Sequence, residues 1–488
     1  MTIQPRHKLS EAHRRHAAHY LEVLSGCNDL YLQGGEGLMR GLELFDLEWG
    51  NIEVGQRWAV SQVQEDEEAR RIVSEYAYAG VNPLNLRQHP HKRIAWLEAA
   101  LEAARILQDR SLEGSALGNL GNAYADLGEL RRAVEFYEQH LAIAREIGDH
   151  QGESNALGSL GNAYADFGEL RRAIKFFEQA VVINREIGNR RGEGVDLGNL
   201  GNTYADLGDL RRAIEFHDQA LVIDREIGDR LGEGADLGNL GNAYTTLGEP
   251  RRAIEFYEQA LVINREIGNR RGEGKALGNL GNAYADLGEL RRAIEFHEQR
   301  LTIAREINDR QGEGLVLGNL GNAYIALGEP RRAIEFHEQA LAIDREVGDR
   351  LGEGADLGNL GNAYTALGEL GLAIEFHKQA LIIGREVGDR LGEGKALRSL
   401  GNVYADLGEL RRAIEFYEQA LVIDLEVGDR RGEGKTMGNL SLALHQLGQQ
   451  EQAIAYMEAA LAIFEQIESP HAAKARQKLA EWRNPASE

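Results

Sequence analysis

Forty residues separate Asn122 from Asn162, and the same step recurs through Asn202, Asn242, Asn282, Asn322, Asn362 and Asn402. Each asparagine sits in a Leu-Gly-Asn-x-Tyr setting, so most of the chain is one unit copied. A unit of this size cannot bury an apolar face alone and must lean on its neighbours, which predicts an all-α stack of repeats with a core running along it. Any function then belongs to an extended surface.

The charge balance narrows the partners. A net charge of −23 opposes close contact with the phosphates of nucleic acid. Cys27 is the single cysteine, which excludes an intrachain disulfide framework and a thiolate zinc site. No apolar run is long enough to span a bilayer, and residues 1–9 lack the hydrophobic segment of a signal peptide. The expectation is a cytoplasmic protein that binds neither membrane nor nucleic acid.

The stretch from Asp229 to Gly268 shows how one copy is built. Asp229 can cap a helix whose inward stripe is Leu237, Leu240, Tyr244 and Leu247. Gly248 stops it, and Pro250 suits the first turn of a second helix carrying Ala253, Ile254, Tyr257, Ala260, Leu261 and Ile267 before Gly268 ends it. The unit is a helix hairpin. Gly241 recurs in the other copies as Gly121, Gly161, Gly201, Gly281, Gly321, Gly361 and Gly401. A glycine inside a helix costs up to about 1 kcal/mol against alanine, so its recurrence predicts a close approach of the second helix, with Ala253 as the opposing surface.

This pattern resembles the tetratricopeptide repeat, whose Leu-Gly-x-x-Tyr, Ala and aromatic signature is matched by Leu240, Gly241, Tyr244, Ala253 and Tyr257. The longer period and the Arg-Glu-Ile-Gly-Asp ending look most like the Pins/LGN and kinesin-light-chain branch. The resemblance covers residues 110–468 as nine copies and implies a solenoid of antiparallel helix hairpins wound as a right-handed superhelix. Residues 67–109 read as a degenerate first hairpin, residues 469–488 as a capping helix and tail, and residues 1–66 as a separate helical segment. In that segment the wording from Leu44-Phe45-Asp46 through Asn51-Ile52 to Trp58-Ala59 is similar to the base of the repeat arm in bacterial STAND regulators.

With the leucine stripe inward, the opposite side of each first helix is free to form a groove. Helical spacing places Asn199 with Asn202, Asn239 with Asn242, Asn279 with Asn282, Asn319 with Asn322 and Asn359 with Asn362 on that side. A carboxamide offers a donor and an acceptor, as an extended peptide backbone does. Neighbouring hairpins about 8–10 Å apart match about three residues of extended chain. In the Pins/LGN family, matching asparagines hold the main chain of an extended partner, and the resemblance implies that role here. The other reading is that these amides bond to one another and tie adjacent repeats together.

Between the copies, Asp206 and Asp286 make acidic rungs, and Leu315 with Ile325 makes an apolar one. The expected ligand is a protein or peptide segment carrying a hydrophobic side chain flanked by basic ones. His217, His297, His337 and His377 replace the aromatic residues Tyr137, Phe177, Tyr257 and Tyr417 and are spaced by whole repeats, which predicts packing and no metal site. Arg300 replaces the small Ala260 and Ala340; the favoured expectation is that it snorkels outward, the other that it marks a contact. Gly434-Lys435-Thr436 imitates the end of a phosphate-binding loop, but no strand precedes it, and Gly272 to Ala276 repeats its grammar. No nucleophile and base group together, so the chain reads as a non-enzymatic, cofactor-free scaffold. Two alternatives stay open: a sensor subunit whose first segment docks on a separate STAND-type ATPase or effector, and a self-assembling repeat protein.

Overall fold

A computed structural model describes residues 5–483, and among them are 24 α-helices and no strand. The chain divides into two compact units, residues 1–247 and 248–488.

In the first unit, α1 (Pro5–Leu32) and α2 (Gly35–Ser61) pack on α3 (Glu67–Ala79), which pairs with α5 (Pro90–Leu107); the short α4 (Val81–Arg87) joins α3 to α5. Tyr76 anchors this region by donating its hydroxyl hydrogen to the Ala17 carbonyl at 2.8 Å, inside a core that includes Phe45, Ile52 and Trp96. Three hairpins follow: α6 (Arg110–Asp126) with α7 (Leu130–Ile147), α8 (His150–Asp166) with α9 (Leu170–Glu186), and α10 (Arg190–Asp206) with α11 (Leu210–Ile227); α12 (Arg230–Thr246) closes the unit.

The second unit begins with α13 (Pro250–Glu266) and continues through α14 (Arg270–Asp286) with α15 (Leu290–Glu306), α16 (Arg310–Leu327) with α17 (Pro330–Val347), and α18 (Arg350–Ala366) with α19 (Leu370–Val387). It ends with α20 (Arg390–Asp406) and α21 (Leu410–Val427), α22 (Arg430–Gln446) and α23 (Gln450–Gln466), and α24 (His471–Arg483). That last helix buries Ala472, Ala475, Leu479 and Trp482 in the core of its unit.

Local chemistry sets each boundary, as α16 and α17 show. The Asp309 carboxylate caps α16 by accepting from the Gly312 N–H at 3.0 Å, and Gly328 ends the helix with φ 81°, a backbone angle that only glycine adopts without strain. Pro330 then opens α17, where a missing N–H costs nothing. Between the paired helices, Leu317, Leu320 and Tyr324 of α16 are buried, and the Tyr324 ring stacks on Phe336 of α17 with centroids 5.3 Å apart.

The glycine of each first helix does mark a close approach, but the opposing group differs from the expected alanine. A Cβ on Gly121, Gly161, Gly201, Gly281, Gly321 or Gly361 would collide with the ring of Tyr137, Phe177, His217, His297, His337 or His377 on the second helix. The ring lies flat across the glycine because nothing projects there. Alanine normally stabilises an exposed helix relative to glycine, so the sign of Gly321→Ala is diagnostic. It should lower stability by about 1–3 kcal/mol in chemical denaturation, the cost of overpacking, and His337→Ala in the same chain should restore part of the loss.

Successive hairpins are also tied by a repeated charge clamp. Buried Glu313 accepts from Arg305 Nε of the preceding hairpin at 2.7 Å and from Arg310 at 2.5 Å, and Arg310 in turn bonds Glu346 of α17. Burial alone would raise the Glu313 pKa, but the two guanidinium groups outweigh it and hold the carboxyl below its ordinary range. The same arrangement recurs at Glu113, Glu273 and Glu353. Arg-Glu strings at the hairpin junctions are therefore part of the stack and not merely its solvated surface.

Candidate functional site

Since the leucines of each first helix turn inward, the residue midway between them turns out. Asn202 and Asn242 in the first unit, and Asn282, Asn322 and Asn362 in the second, are exposed, while Asn199, Asn239, Asn279, Asn319 and Asn359 are half-buried beside them. This is the 3.6-residue period expressed on the open side of the hairpins.

In the second unit that side is hollowed between hairpins. One cavity of about 430 Å³ is lined by Arg300, Leu315, Asn319, Asn322, Asp356 and Asn359, and a second of about 310 Å³ by Asn359, Asn362, His377, Gly384, Ala396 and Ser399. Asn359 belongs to both, so they are contiguous. Glycine and alanine at these junctions leave the space.

The carboxamides differ in how they are engaged. Those of Asn322, Asn359 and Asn362 make no hydrogen bond among the described residues, and each lines a cavity. Elsewhere neighbours tie them together: Asn319 Nδ2 donates to Asn282 Oδ1 at 3.4 Å, and Asn439 Nδ2 to Asn402 Oδ1 at 2.8 Å. Where the second helix carries tyrosine, its hydroxyl claims the rung as well, from Tyr137 to Asn122 and from Tyr417 to Asn402, both at 2.8 Å. Tied and unbonded amides thus coexist, at different rungs.

The apolar and acidic rungs are less concentrated. Leu315 is 57% exposed inside the larger cavity, whereas Ile325 leans on the core cluster around Leu317 and Tyr324. Asp206 and Asp286 are exposed final residues of α10 and α14 and line neither cavity. Arg300 does not snorkel. Its half-buried guanidinium lies over Gly278, whose missing side chain makes room, and it faces the larger cavity. Burial holds its pKa below the ordinary arginine value.

Comparison with known families gives these features a context. A family profile described as Tetratricopeptide repeat matches residues 112–186, 196–266, 267–346 and 353–426, and a second Tetratricopeptide repeat profile matches residues 435–471. This chain belongs to the tetratricopeptide repeat family.

Response regulator aspartate phosphatase A of Bacillus subtilis (strain 168) is 38% identical to this tetratricopeptide repeat protein over 76 residues, 16% of this chain and 20% of that relative. The match therefore spans about one fifth of the relative's length. Among solved structures, the STAND protein with a tetratricopeptide repeat sensor from Pyrococcus horikoshii superposes with a TM-score of 0.53 at 14% identity, covering 90% of this chain and 71% of that one. The apo form of the quorum sensor NprR from B. thuringiensis gives 0.50 at 16% identity, over 70% of this chain and 99% of that one. Aspartyl phosphate phosphatase F from Bacillus subtilis gives 0.50 at 14%, over 75% and 92%. At these identities the structural likeness establishes the fold.

Beneath the open side, the tetratricopeptide repeat stack holds buried aspartates that sequence reasoning missed, beside the histidines it expected to pack. His217, His297, His337 and His377 are each no more than 1% exposed, packed as aromatic residues are in the other copies. His217 Nδ1 lies 2.9 Å from Asp236 Oδ1, and His337 Nδ1 lies 3.0 Å from Asp356 Oδ1. Asp236 is itself hydrogen-bonded to buried Asp224, and Asp356 to buried Asp344. Burial, reinforced by the neighbouring carboxylate, pushes the Asp224 and Asp344 pKa up to about 7. The signal was in the sequence: the two aspartates stand twelve residues apart in these two copies, where Asn264 is followed by Ala276 and Ala304 by Val316.

Two other sequence features are settled by position. Gly434-Lys435-Thr436 lies within α22, and Thr436 is fully buried, donating its hydroxyl hydrogen to Asp424 at 2.6 Å, which is structural repeat grammar. No group of described residues is arranged to hold a metal ion, and no described helix is long and apolar enough to cross a membrane.

Proposed function

We propose that this chain is a non-enzymatic scaffold that captures an extended segment of a partner protein along the asparagine-lined side of its first helices. The observation that carries this reading is the set of three free carboxamides, on Asn322, Asn359 and Asn362, lining contiguous cavities on adjacent hairpins. Each presents a donor and an acceptor to a main chain that offers the complementary pair. Asn199, Asn202, Asn239, Asn242, Asn279, Asn282 and Asn319 extend the same pattern, with some rungs holding the stack instead. Leu315 meets a hydrophobic side chain of the ligand, and Asp206 and Asp286 favour basic ones further along. The tetratricopeptide repeat sensor of the archaeal STAND protein and the quorum sensor NprR are consistent with a recognition role for such a stack.

Site-specific photocrosslinking tests the location. A benzophenone side chain at Leu315 should capture one continuous, extended polypeptide segment from an extract of the native host, and the same group at Arg331, exposed at the start of α17, should not. Equal capture at the two positions would remove the groove reading.

A further inference from the structure

The four buried histidines are equivalent in the repeat, yet their surroundings are not. Nineteen residues beyond His217 and His337 stand Asp236 and Asp356, which supply the carboxylate bonded to Nδ1. Nineteen residues beyond His377 stands Ala396, and Gly384 occupies the place of Asp224 and Asp344. Both carboxylates of the sister copies are missing here. His377 keeps both ring nitrogens buried without a partner, at 1% exposure. His377, Gly384 and Ala396 all line the 310 Å³ cavity that opens beside Asn359 and Asn362.

His297 shows that a missing aspartate alone does not make a cavity. The residue nineteen beyond it is Val316, fully buried, which fills the space, and the larger cavity does not reach the His297 ring. Only at His377 among the four does a buried, unbonded imidazole line an open cavity. The rim holds one cation without an ion pair among the described residues, exposed Lys395; Arg350 is bonded to Glu353 and Glu386, and the rim's one carboxylate, Asp389, is turned to its own helix start, where it caps the Gly392 N–H.

We propose that the cavity over His377 is a slot for an acidic side chain of the captured segment, whose carboxylate accepts the imidazole hydrogen bond that Asp236 and Asp356 accept in the sister copies. Carboxylate and imidazole complement each other without any change in the protein's charge, and Lys395 favours entry of the anion. The ring is turned so that Nδ1 lies over Gly361, whereas Gly201 and Gly321 face Nε2 most closely, so binding includes a half-turn about Cβ–Cγ. Burial keeps the unbonded ring neutral, its pKa pushed down to about 4. This deepens the peptide-capture reading by naming one ligand side chain, and a small carboxylate probes it without any peptide.

The chain of residues 1–488, labelled with nitrogen-15 in histidine, is titrated with propionate and separately with propionamide. Propionate should shift the His377 ring nitrogens in a saturable way, with the signals assigned by His377→Phe, a ring already housed at Phe177 in another copy. Propionamide should shift them at least tenfold less at equal concentration. Ala396→Asp should abolish the propionate response and bring the His377 signals to the positions of His217 and His337. His377→Phe removes any need for the aspartate variant to fold, because propionate affinity measured by calorimetry should vanish in it. Equal responses to acid and amide, no saturable response, or propionate binding that survives His377→Phe would each overturn the slot. Propionate binding with no crosslinked peptide at Leu315 would sustain the slot and sink the peptide reading, whereas the converse would sink the slot alone.

Discussion

Relative to an Asp224→Asn, Asp344→Asn double variant, the wild-type melting temperature should fall as pH rises from about 5 to 7. In the folded chain both carboxyls bind their proton up to about pH 7, because they are buried and each shares a hydrogen bond with a second aspartate. In the unfolded chain an aspartate releases its proton near the ordinary value of about 3.9. Between those values the native state holds more protons than the unfolded one, so stability decreases with rising pH. The contribution is fully present below the unfolded pKa and is lost as pH climbs through the folded pKa. Each unit of difference corresponds to about 1.4 kcal/mol, so two sites displaced in the same direction amount to several kcal/mol.

The glutamate clamps act at the other end of the scale. Glu113, Glu273, Glu313 and Glu353 are held below the usual carboxylate range by paired arginines despite their burial, so their contribution is present above about pH 4.3 and fades as pH falls through the depressed values. Buried His297 and His377, whose pKa is pushed down to about 4, oppose the aspartates between about pH 4 and 6.5, so comparison with the double variant isolates the aspartate contribution. Thermal melts of both chains followed by circular dichroism at half-unit steps would show it, and a difference between them that does not change from pH 5 to 7 would contradict the assignment of protonated pairs.

The repeat made most of the fold legible, because punctuation is local. Asp309 before α16, Gly328 after it and Pro330 at the head of α17 each act within one turn of chain, and a forty-residue period copies them. The close approach at Gly321 was also legible, but not the group on the other side. Periodicity tells which face of a helix is buried and leaves the height and rotamer of the facing ring undecided, so His337 was placed in the core without being placed over the glycine.

Buried charge was the least legible feature. A carboxylate or guanidinium ordinarily signals solvent, and only pairing across hairpins reverses that sign. Asp344 with Asp356, and Arg305 with Glu313, are partners twelve and eight residues apart across a turn, which no face of a single helix reveals. Arg300 defied the snorkelling expectation for a related reason: Gly278 on the neighbouring helix gave it a place to lie. The candidate site was half legible. The asparagine ladder could be read from spacing, whereas the distinction between free amides such as Asn322 and tied ones such as Asn319 depends on which neighbour lies within reach.

Capture of a segment depends on those free amides, and their joint removal tests it. The side chains of Asn322, Asn359 and Asn362 make no hydrogen bond among the described residues, so alanine at all three should cost the fold nothing, and alanine's higher helix propensity works in the fold's favour. For a bound segment the loss is different in kind. Each amide donates to and accepts from the ligand backbone, and at about 0.5–1.5 kcal/mol per bond the three rungs contribute about 3–9 kcal/mol. The decisive measurement is calorimetric affinity for the segment crosslinked at Leu315, with the wild-type and triple-alanine chains compared at equal helicity and melting temperature. A loss of about 100-fold or more is the predicted result. Affinity unchanged within threefold, in a variant whose fold is intact, would contradict the central claim.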